Sequence, residues 1–356
     1  MIVDRVQLAS FRSYERLELD LRPGLVLAVG PNGVGKTNLL EALHVGTQGF
    51  SPRTRADAQL IRFGDRAARL GVRGSRGTVP VEIELTLEVG AGKKAKLNGA
   101  PLRATEQLRA ENATLVFTPD RLGVVKGPPA VRRAYFDRAL GRLTPARSQL
   151  STDYGAAVAQ RNASLRRVAG GFSTRDALAP WTEQVVTLGT ELVAARREAL
   201  ALLQPPFAER AGELGLADAE LRYDGEPLTV EALDARLDRD LDRGVTGLGP
   251  HLDDVALVAG TRELRSFGSQ GEQRLAMLAL LLAEAELITA RRGVPPLLLL
   301  DDVLSELDPE RRRILARRVA GVGQALITAT DAAMLPAEPD QLLDVTPGEV
   351  RDRTAG

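Results

Sequence analysis

The segment GPNGVGKT, Gly30 to Thr37, constrains the fold of this chain more than any other. It follows an apolar run, Leu25 to Val29, that predicts a strand, and it leads into a helical pattern from Asn38 to Leu43. A strand, a glycine-rich loop and a helix in this order form the setting of a phosphate-binding loop. The sequence therefore predicts an α/β domain that binds and hydrolyses a nucleoside triphosphate.

The composition of this loop explains how it would hold ATP and Mg²⁺. Glycines let the backbone wrap closely around a polyphosphate, with its N–H groups and the next helix N-terminus directed at negative charge. Lys36 adds a mobile cation for the outer phosphates, and the Thr37 hydroxyl is suited to bind magnesium. The residues expected to bind the nucleotide are Gly30, Pro31, Asn32, Gly33, Val34, Gly35, Lys36, Thr37 and Asn38.

Two carboxylates follow a second apolar run. Leu297 to Leu300 predicts a strand buried on both faces of a parallel sheet, and Asp301 and Asp302 come directly after it. Carboxylates at the carboxyl end of such a strand lie beside a phosphate loop. We expect Asp301 to hold the magnesium ion, directly or through water, and Asp302 to orient or deprotonate the attacking water. The alternative is a turn that merely ends a strand.

The segment GSQGEQRLAMLAL, Gly268 to Leu280, predicts a second helix N-terminus with a free hydroxyl and glycine N–H groups. One small domain has no need of two such anion sites for a single ATP. The simplest arrangement is a dimer in which this turn closes over the γ-phosphate bound by the other copy. The residues expected to act in this way are Ser269, Gln270, Gly271 and Glu272. The alternative is an ordinary capped helix.

Hydrophobic periodicity divides the chain. Residues from Ile2 to Leu21 and from Leu70 to Val89 alternate as in strands, whereas helical spacing begins near Thr144 and is expected to end at Pro205-Pro206. We therefore expect an ATPase head at residues 1–120 and 245–356, interrupted by a helical arm at 121–244.

Charge and composition exclude several classes of protein. Lys plus Arg and Asp plus Glu both total 47, so net charge alone predicts no partner, and the absence of cysteine excludes disulfides and thiolate zinc sites. The richest apolar stretch, Leu275 to Ile288, is interrupted by Glu284 and Glu286. The sequence predicts a soluble cytoplasmic protein that does not span or enter a membrane.

The ordered set of motifs resembles the ATPase heads of the ABC and SMC superfamily, and four longer strings resemble the RecF family of bacterial recombination and gap-repair proteins. The strings are LASFRSYERLEL (Leu8 to Leu19), GPNGVGKTNLLEAL (Gly30 to Leu43), FTPDRLGVVKGPPAVRRAYFD (Phe117 to Asp137) and LLLDDVLSELDPERR (Leu298 to Arg312). This resemblance covers most of the chain. It implies an ABC/SMC-type P-loop ATPase head with an inserted helical arm.

The resemblance also implies a mode of action. ATP would be sandwiched between two copies, with Ser269 reaching across and a loop of Ser305, Glu306, Leu307 and Asp308 lying along the interface. ATP binding would drive homodimerisation on DNA, and slow, DNA-dependent hydrolysis would release it. The protein would act in gap repair, replication-fork restart and the SOS response by helping RecO and RecR to load RecA.

Two positions depart from transporter heads of the same superfamily. Asp302 stands where transporters commonly have glutamate, so water would be held less well and turnover would be slow. The segment from Ile327 to Asp331 lacks the histidine that contacts the γ-phosphate in transporters, and Thr330 would replace it only in part.

Basic residues cluster early in the chain, whereas acidic residues concentrate at 209–254. Such segregation lets one face attract DNA phosphates while the whole chain stays neutral. The scarcity of aromatic residues favours sequence-independent contacts with the backbone of duplex or gapped DNA. The residues expected to contact DNA are Arg53, Arg55, Arg62, Arg66, Lys93, Lys94 and Lys96; the alternative is that they are simply solvated.

Two other functions remain open at this point. A transporter-type ATPase subunit is disfavoured by the missing histidine and by the helical arm. A metabolic enzyme such as a nucleotide kinase is disfavoured by the turn at Ser269, because a monomeric kinase has no use for that element.

Overall fold

The computed structural model describes residues 1–105, 107–321 and 323–354. Within these ranges the strands are β1 (Ile2–Phe11), β2 (Tyr14–Asp20), β3 (Gly24–Val29), β4 (Ala67–Arg76), β5 (Val79–Glu88), β6 (Gly92–Leu97), β7 (Ala100–Pro101), β8 (Thr114–Phe117), β9 (Ala219–Asp224), β10 (Asp254–Ala259), β11 (Arg262–Glu263), β12 (Leu297–Leu300), β13 (Gln324–Ala329), β14 (Gln341–Thr346) and β15 (Glu349–Asp352).

The α-helices in the same ranges are α1 (Lys36–Gln48), α2 (Gln107–Glu111), α3 (Gly123–Lys126), α4 (Pro129–Leu143), α5 (Leu150–Ala169), α6 (Ala179–Glu213), α7 (Val230–Asp234), α8 (Leu237–Arg243), α9 (Leu264–Phe267), α10 (Gln270–Arg292) and α11 (Pro309–Ala320). A search of this described part of the chain finds no helix with both the length and the apolarity needed to cross a bilayer.

The chain divides into two compact units. The first comprises Met1–Arg121 and Met277–Gly356, and the second comprises Leu122–Ala276. The first boundary lies one residue from the expected position, but the second differs from the expected boundary at 244. The reason is that β10 pairs antiparallel with β9, with Asp254 opposite Asp224 and Ala259 opposite Ala219, so residues after 244 are still part of the second unit.

A parallel sheet in the first unit positions the phosphate loop. Its strands lie in the order β15-β14-β3-β13-β12-β8; β14, β3, β13, β12 and β8 are parallel to one another, and β15 pairs antiparallel with β14 at one edge. The central strands are fully buried, as the apolar runs Leu25 to Val29 and Leu297 to Leu300 predict. Their carboxyl ends meet at one edge, which gathers the residues that follow β3, β12 and β13.

The other sheet of the first unit has the order β2-β1-β4-β5-β6-β7. The two expected strands between Ile2 and Leu21 pair antiparallel, with Leu8 opposite Leu17. Strand β1 pairs next with β4, whereas β3, the following strand in the chain, joins the parallel sheet. Alternation alone does not reveal which sheet a strand joins.

Helix α1 is buried among strands of both sheets. It packs against β1, β4 and β5 on one side and β8, β12 and β13 on the other, and eleven of its 13 residues are buried. The packing is so close that a Cβ atom on Gly46 would lie 2.5 Å from Val72 Cγ2. Its buried polar groups are hydrogen-bonded, as in Thr47 Oγ1 to Leu43 O at 2.8 Å, as burial requires.

The second unit contains two long helices, α5 and α6, in the segment where the sequence predicts a helical arm, but the expected end of the helical spacing is wrong. Helix α6 does not end at Pro205-Pro206; both prolines lie inside it and it runs on to Glu213. The Gln204 side chain hydrogen-bonds to two main-chain groups of β9: its Nε2 donates to Ala219 O at 3.0 Å, and its Oε1 accepts from Leu221 N–H at 2.7 Å. This tertiary packing, with Phe207 fully buried, offsets the helix bonds that proline removes.

A buried polar network joins the helices of the second unit to the segment before β10. Arg161 is fully buried, and its Nη1 donates to Asp240 Oδ2 and Thr246 Oγ1, each at 2.9 Å. His251 Nε2 lies 3.0 Å from Thr246 O, and its Nδ1 lies 2.7 Å from Tyr154 Oη. Because a carbonyl can only accept, Nε2 carries the proton and Tyr154 donates to Nδ1.

We expect stability to fall in mild acid because His251 is held neutral. Burial, which is the main cause, and the nearby charge of Arg133 lower its pKa below the usual 6.5. The unfolded chain then binds a proton more readily, so stability decreases as pH falls below about 6.5, by at most about 1.4 kcal/mol per pH unit. Urea unfolding across this range should show a smaller decrease for His251→Gln. Equal pH slopes for the two proteins would contradict this.

Candidate nucleotide-binding site

The phosphate loop joins β3 to α1 and is held tightly by its surroundings. A Cβ atom on Gly30 would lie 2.3 Å from the backbone oxygen of Val345, so only glycine fits there. Gly35 has φ +118° and caps α1 in a conformation that side chains rarely adopt. Pro31, Asn32 and Gly33 between them are exposed, which leaves the loop backbone open to a ligand.

Lys36 opens α1 and folds back over the loop. Its Nζ donates to Gly30 O at 2.5 Å and to Pro31 O at 2.9 Å. Burial lowers its pKa, although the nearby carboxylates of Asp302 and Asp301 act in the opposite direction. The ammonium group therefore lies at the mouth of the loop, beside the two acids that the sequence predicts.

Thr37 and Asp301 meet as expected. Thr37 Oγ1 donates to the Asp301 carboxylate, 3.1 Å from Oδ1 and 3.0 Å from Oδ2. Thr328 Oγ1 on β13 donates to Asp301 Oδ1 at 2.7 Å. Burial raises the pKa of Asp301, and the two threonine hydroxyls counteract this by stabilising the ionised form. The arrangement supplies a hydroxyl and a carboxylate side by side.

Asp302 adopts a left-handed conformation, with φ 50° and ψ 27°. Its N–H donates to Thr328 Oγ1 at 2.9 Å. Its carboxylate Oδ1 is buried and has no hydrogen-bond partner among the residues that the structure describes. A buried acceptor without a partner is costly in a folded chain, so this oxygen is suited to receive a hydrogen bond from a bound ligand or water.

The oxygen ligands at this edge suit Mg²⁺, which is bound partly by phosphates and water, better than a metal ion that is coordinated by protein side chains alone. No group of three or more His, Cys, Asp or Glu side chains in the described ranges could hold a metal ion. Magnesium in nucleotide sites needs only one or two carboxylates besides the phosphates, and it prefers oxygen ligands. The Thr37 hydroxyl and the Asp301 carboxylate match that requirement.

The turn between β1 and β2 supports the loop, which the sequence did not indicate. Tyr14 is fully buried, and its hydroxyl donates to Gly35 O at 3.0 Å. Arg12, at φ 53°, donates through Nε and Nη2 to the buried carboxylate of Glu41, at 2.8 and 2.9 Å. Both contacts join residues distant in sequence, so no local motif could have revealed them.

A cleft of about 600 Å³ lies next to the start of α1. Asn38 and three arginines with planar guanidinium groups line it, and the ring of Phe63 beside them is fully exposed. An aromatic face and guanidinium planes can stack on a flat base. The lining residues are Arg12, Asn38, Arg53, Ala58, Gln59, Ile61, Arg62, Phe63, Gly64 and Asp65.

The turn at Ser269 lies in the second unit and forms a capping box. Ser269 N–H donates to Glu272 Oε2 at 2.7 Å, and Glu272 N–H donates to Ser269 Oγ at 3.2 Å. The hydroxyl accepts in this pair, so its own proton is still available to a ligand. Ser269, Gln270 and Gly271 are exposed. The helix is therefore capped, as the alternative expects, and the same turn leaves the Ser269 hydroxyl exposed.

Two residues of the loop from Ser305 to Asp308 have a structural role. Asp308 caps α11, because its Oδ1 accepts from Arg311 N–H at 2.9 Å, and Leu307 is buried. Ser305 and Glu306 are exposed. Thr330 is also exposed, just beyond β13, and its hydroxyl contacts Met334 Sδ at 3.3 Å. Within the segment from Ile327 to Asp331, it is Thr328, which sequence reasoning missed, that contacts both Asp301 and Asp302.

The basic residues are partly neutralised by local ion pairs. Arg53 Nη1 lies 3.2 Å from Glu41 Oε2, and Lys96 Nζ lies 3.1 Å from Glu84 Oε2. Arg62 pairs with Glu15, and Lys93 pairs with Asp57. Of the predicted DNA contacts, Arg55, Arg66 and Lys94 are exposed and have no ion pair in the described part of the chain.

Comparison with known proteins agrees with this geometry. The family model described as RecF/RecN/SMC N terminal domain matches residues 2–352. A DNA replication and repair protein RecF from Symbiobacterium thermophilum is 38% identical over 350 residues, which cover 93% of this chain and 92% of the relative. The protein of the same name from Heliobacterium modesticaldum is 37% identical over 344 residues, with 93% and 92% covered.

A solved structure is similar across the same length. It is described as the recombination mediator protein RecF-ATP in the RecFOR pathway, and it matches with a TM-score of 0.89 and 27% identity. The match covers 98% of this chain and 97% of that chain.

Proposed function

Because this chain belongs to the RecF family, we propose that it is an ATP-dependent DNA-binding protein of recombination and gap repair. The observation that best supports this is the meeting of Thr37, Asp301 and Lys36 around one phosphate loop. The names of its relatives, a DNA replication and repair protein and a recombination mediator protein of the RecFOR pathway, support a role in replication-linked repair. The family resemblance in the sequence extends the proposal to the cytoplasm, to fork restart and the SOS response, and to RecO and RecR as partners in loading RecA.

Binding of ATP would use groups already in place. The exposed loop backbone and the start of α1 face a polyphosphate, and Lys36 neutralises its outer charge. The cleft beside Asn38 would receive the base. Thr37 and Asp301 would hold Mg²⁺, which when bound neutralises charge on the phosphate oxygens. Each group thus favours the nucleotide through charge or hydrogen bonding.

Hydrolysis would need two further groups. Asp302 has an unpartnered carboxylate oxygen, which suits it to orient the attacking water and accept its proton. Ser269 of a second copy would donate its free proton to the γ-phosphate, since its oxygen is already engaged in the capping box. ATP would therefore join two copies, and slow hydrolysis would separate them as a conformational switch.

DNA binding would depend on charge. Lys93 bonds Asp57, so strand β6 lies against the 51–66 segment, and the basic residues of both belong to one region of the first unit. Because several are paired with acids, Arg55, Arg66 and Lys94 carry most of its uncompensated charge. Contacts of this kind bind phosphates without reading base sequence.

We expect affinity for duplex DNA to fall steeply as salt rises. Each phosphate contact contributes a slope of roughly −0.9 to the plot of log affinity against log salt. Arg55→Gln and Lys94→Gln should each reduce this slope by about 0.9, whereas Arg351→Gln, at an exposed site paired with Glu349, should not. Fluorescence anisotropy with labelled duplex measures this, and salt-insensitive binding would contradict it.

One experiment separates the competing functions. Sedimentation of the protein with and without ATP, and with duplex or gapped DNA, should reveal a dimer that forms with ATP and stays on DNA. Copurification with a membrane component would favour the transporter-type subunit instead. ATP consumption stimulated by a small phosphate acceptor, with no response to DNA, would favour a nucleotide kinase.

A further inference from the structure

We propose that Thr328 is a positioning residue for both acids of the site, so that one buried hydroxyl fixes the carboxylate of Asp301 and the backbone of Asp302. This inference rests on the proposed ATP hydrolysis and deepens it. Thr328 lies on β13, the strand between β3 and β12, and therefore between the phosphate loop and the acids.

The register of the sheet brings Thr328 to the acids. Ile327 is opposite Leu300 in the parallel pairing of β13 and β12, so Thr328 lies level with Asp301, the residue just after β12. Its side chain has no exposed surface. It is therefore out of reach of a nucleotide, and it acts on the reaction only through the residues that it contacts.

The polarity of the hydrogen bonds is fixed by their partners. Asp302 N–H can only donate, so Thr328 Oγ1 accepts it at 2.9 Å. The hydroxyl proton is then free to go to Asp301 Oδ1 at 2.7 Å. A β-branched side chain has few allowed rotamers, so the direction of this hydroxyl is set by the strand itself.

Each of the two hydrogen bonds of Thr328 stabilises an unfavourable state: the buried charge of Asp301 and the left-handed backbone of Asp302. Burial disfavours the charged carboxylate of Asp301, and in the described part of the chain Thr37 and Thr328 are the side chains that donate to it. Asp302 has φ 50°, which is rare for residues other than glycine, and the bond to Thr328 restrains it there. Loss of the hydroxyl would release both.

The test compares Thr328→Val, which removes the hydroxyl but keeps the shape, with Thr328→Ser, which keeps the hydroxyl. Equilibrium binding of ATPγS is measured across Mg²⁺ concentrations and in EDTA. Residues behind metal ligands commonly alter metal affinity 10- to 100-fold, so Thr328→Val should raise the half-saturating Mg²⁺ concentration about tenfold or more. Affinity in EDTA should be unchanged, and Thr328→Ser should stay close to wild type.

Thr114→Val is the matched control. It removes an equally buried hydroxyl, which donates to Thr47 Oγ1 at 2.9 Å, from the far end of strand β8. Its magnesium dependence should equal that of wild type, and thermal melting reports the general cost of losing a buried hydroxyl.

The inference is overturned if Thr328→Val has the magnesium dependence of wild type, or if Thr328→Ser or Thr114→Val shifts it equally. Failure of the proposed nucleotide site, on which this inference rests, has a different signature, because wild type would then not bind ATPγS with Mg²⁺ at all.

Discussion

Lys36→Met is expected to abolish ATP-driven dimerisation. The substitution keeps an unbranched chain of similar length but removes the ammonium group that lies at the mouth of the loop, 2.5 Å from Gly30 O. A hydrogen bond to a charged group contributes about 1.5–3 kcal/mol, so ATP should bind about 10- to 100-fold more weakly. Sedimentation at an ATP concentration that dimerises wild type should show the same species with and without nucleotide.

A mixing experiment determines whether the second copy completes the site. Ser269→Arg should also prevent dimerisation, because it places a bulky cation at the exposed turn. In a mixture of the two variants, one of the two shared sites combines the intact loop of one copy with the intact Ser269 of the other. ATP should therefore restore dimers to the mixture. A Lys36→Met protein that still dimerises fully, or a mixture that stays monomeric, would contradict the proposed arrangement.

Asp302→Asn is expected to bind ATP, hydrolyse it poorly and accumulate as a dimer. Asparagine tolerates the left-handed conformation at φ 50° as well as aspartate does, so the variant isolates the loss of the carboxylate. General-base catalysis contributes about 10²–10⁴ to rate, so turnover should fall at least about 100-fold. Phosphate release gives the rate, and light scattering follows the dimer.

The neighbouring acid supplies the comparison for that variant. Asp301→Asn alters a residue that contacts Thr37 and Thr328, so it should weaken ATP binding itself and give no trapped dimer. If Asp302→Asn stayed monomeric with ATP, or turned ATP over at the wild-type rate, the role proposed for its carboxylate would be wrong.

The sequence was sufficient to place a residue wherever its structural setting is encoded next to it in the chain. The phosphate loop and the acids after Leu300 belong to segments whose own patterns predict a strand followed by a functional loop, and parallel strands bring such loops to one edge. The resemblance to the RecF family followed from four longer strings, two of which contain these motifs.

The sequence was insufficient where partners lie on strands or turns that are far apart in the chain. Thr328 acts through the register of β13 and β12, and Tyr14 reaches Gly35 from a turn in another sheet. The two prolines inside α6 led to the wrong prediction that the helix ends there. Packing against β9 outweighs the low helix propensity of proline. Likewise Arg53 reads as a surface cation, although its guanidinium bonds Asn38 and Glu41.

The enclosure of α1 has a mechanical consequence for the nucleotide cycle. Helix α1 packs against strands of both sheets, with Gly46 close to Val72. Because protein interiors are closely packed, the helix has little room to shift when a nucleotide adds negative charge at its N-terminus. We therefore expect any displacement on ATP binding to occur in the exposed Pro31–Gly33 segment and in the β1–β2 turn beside it. Helix α1 would then serve as the fixed element relative to which this segment and this turn move.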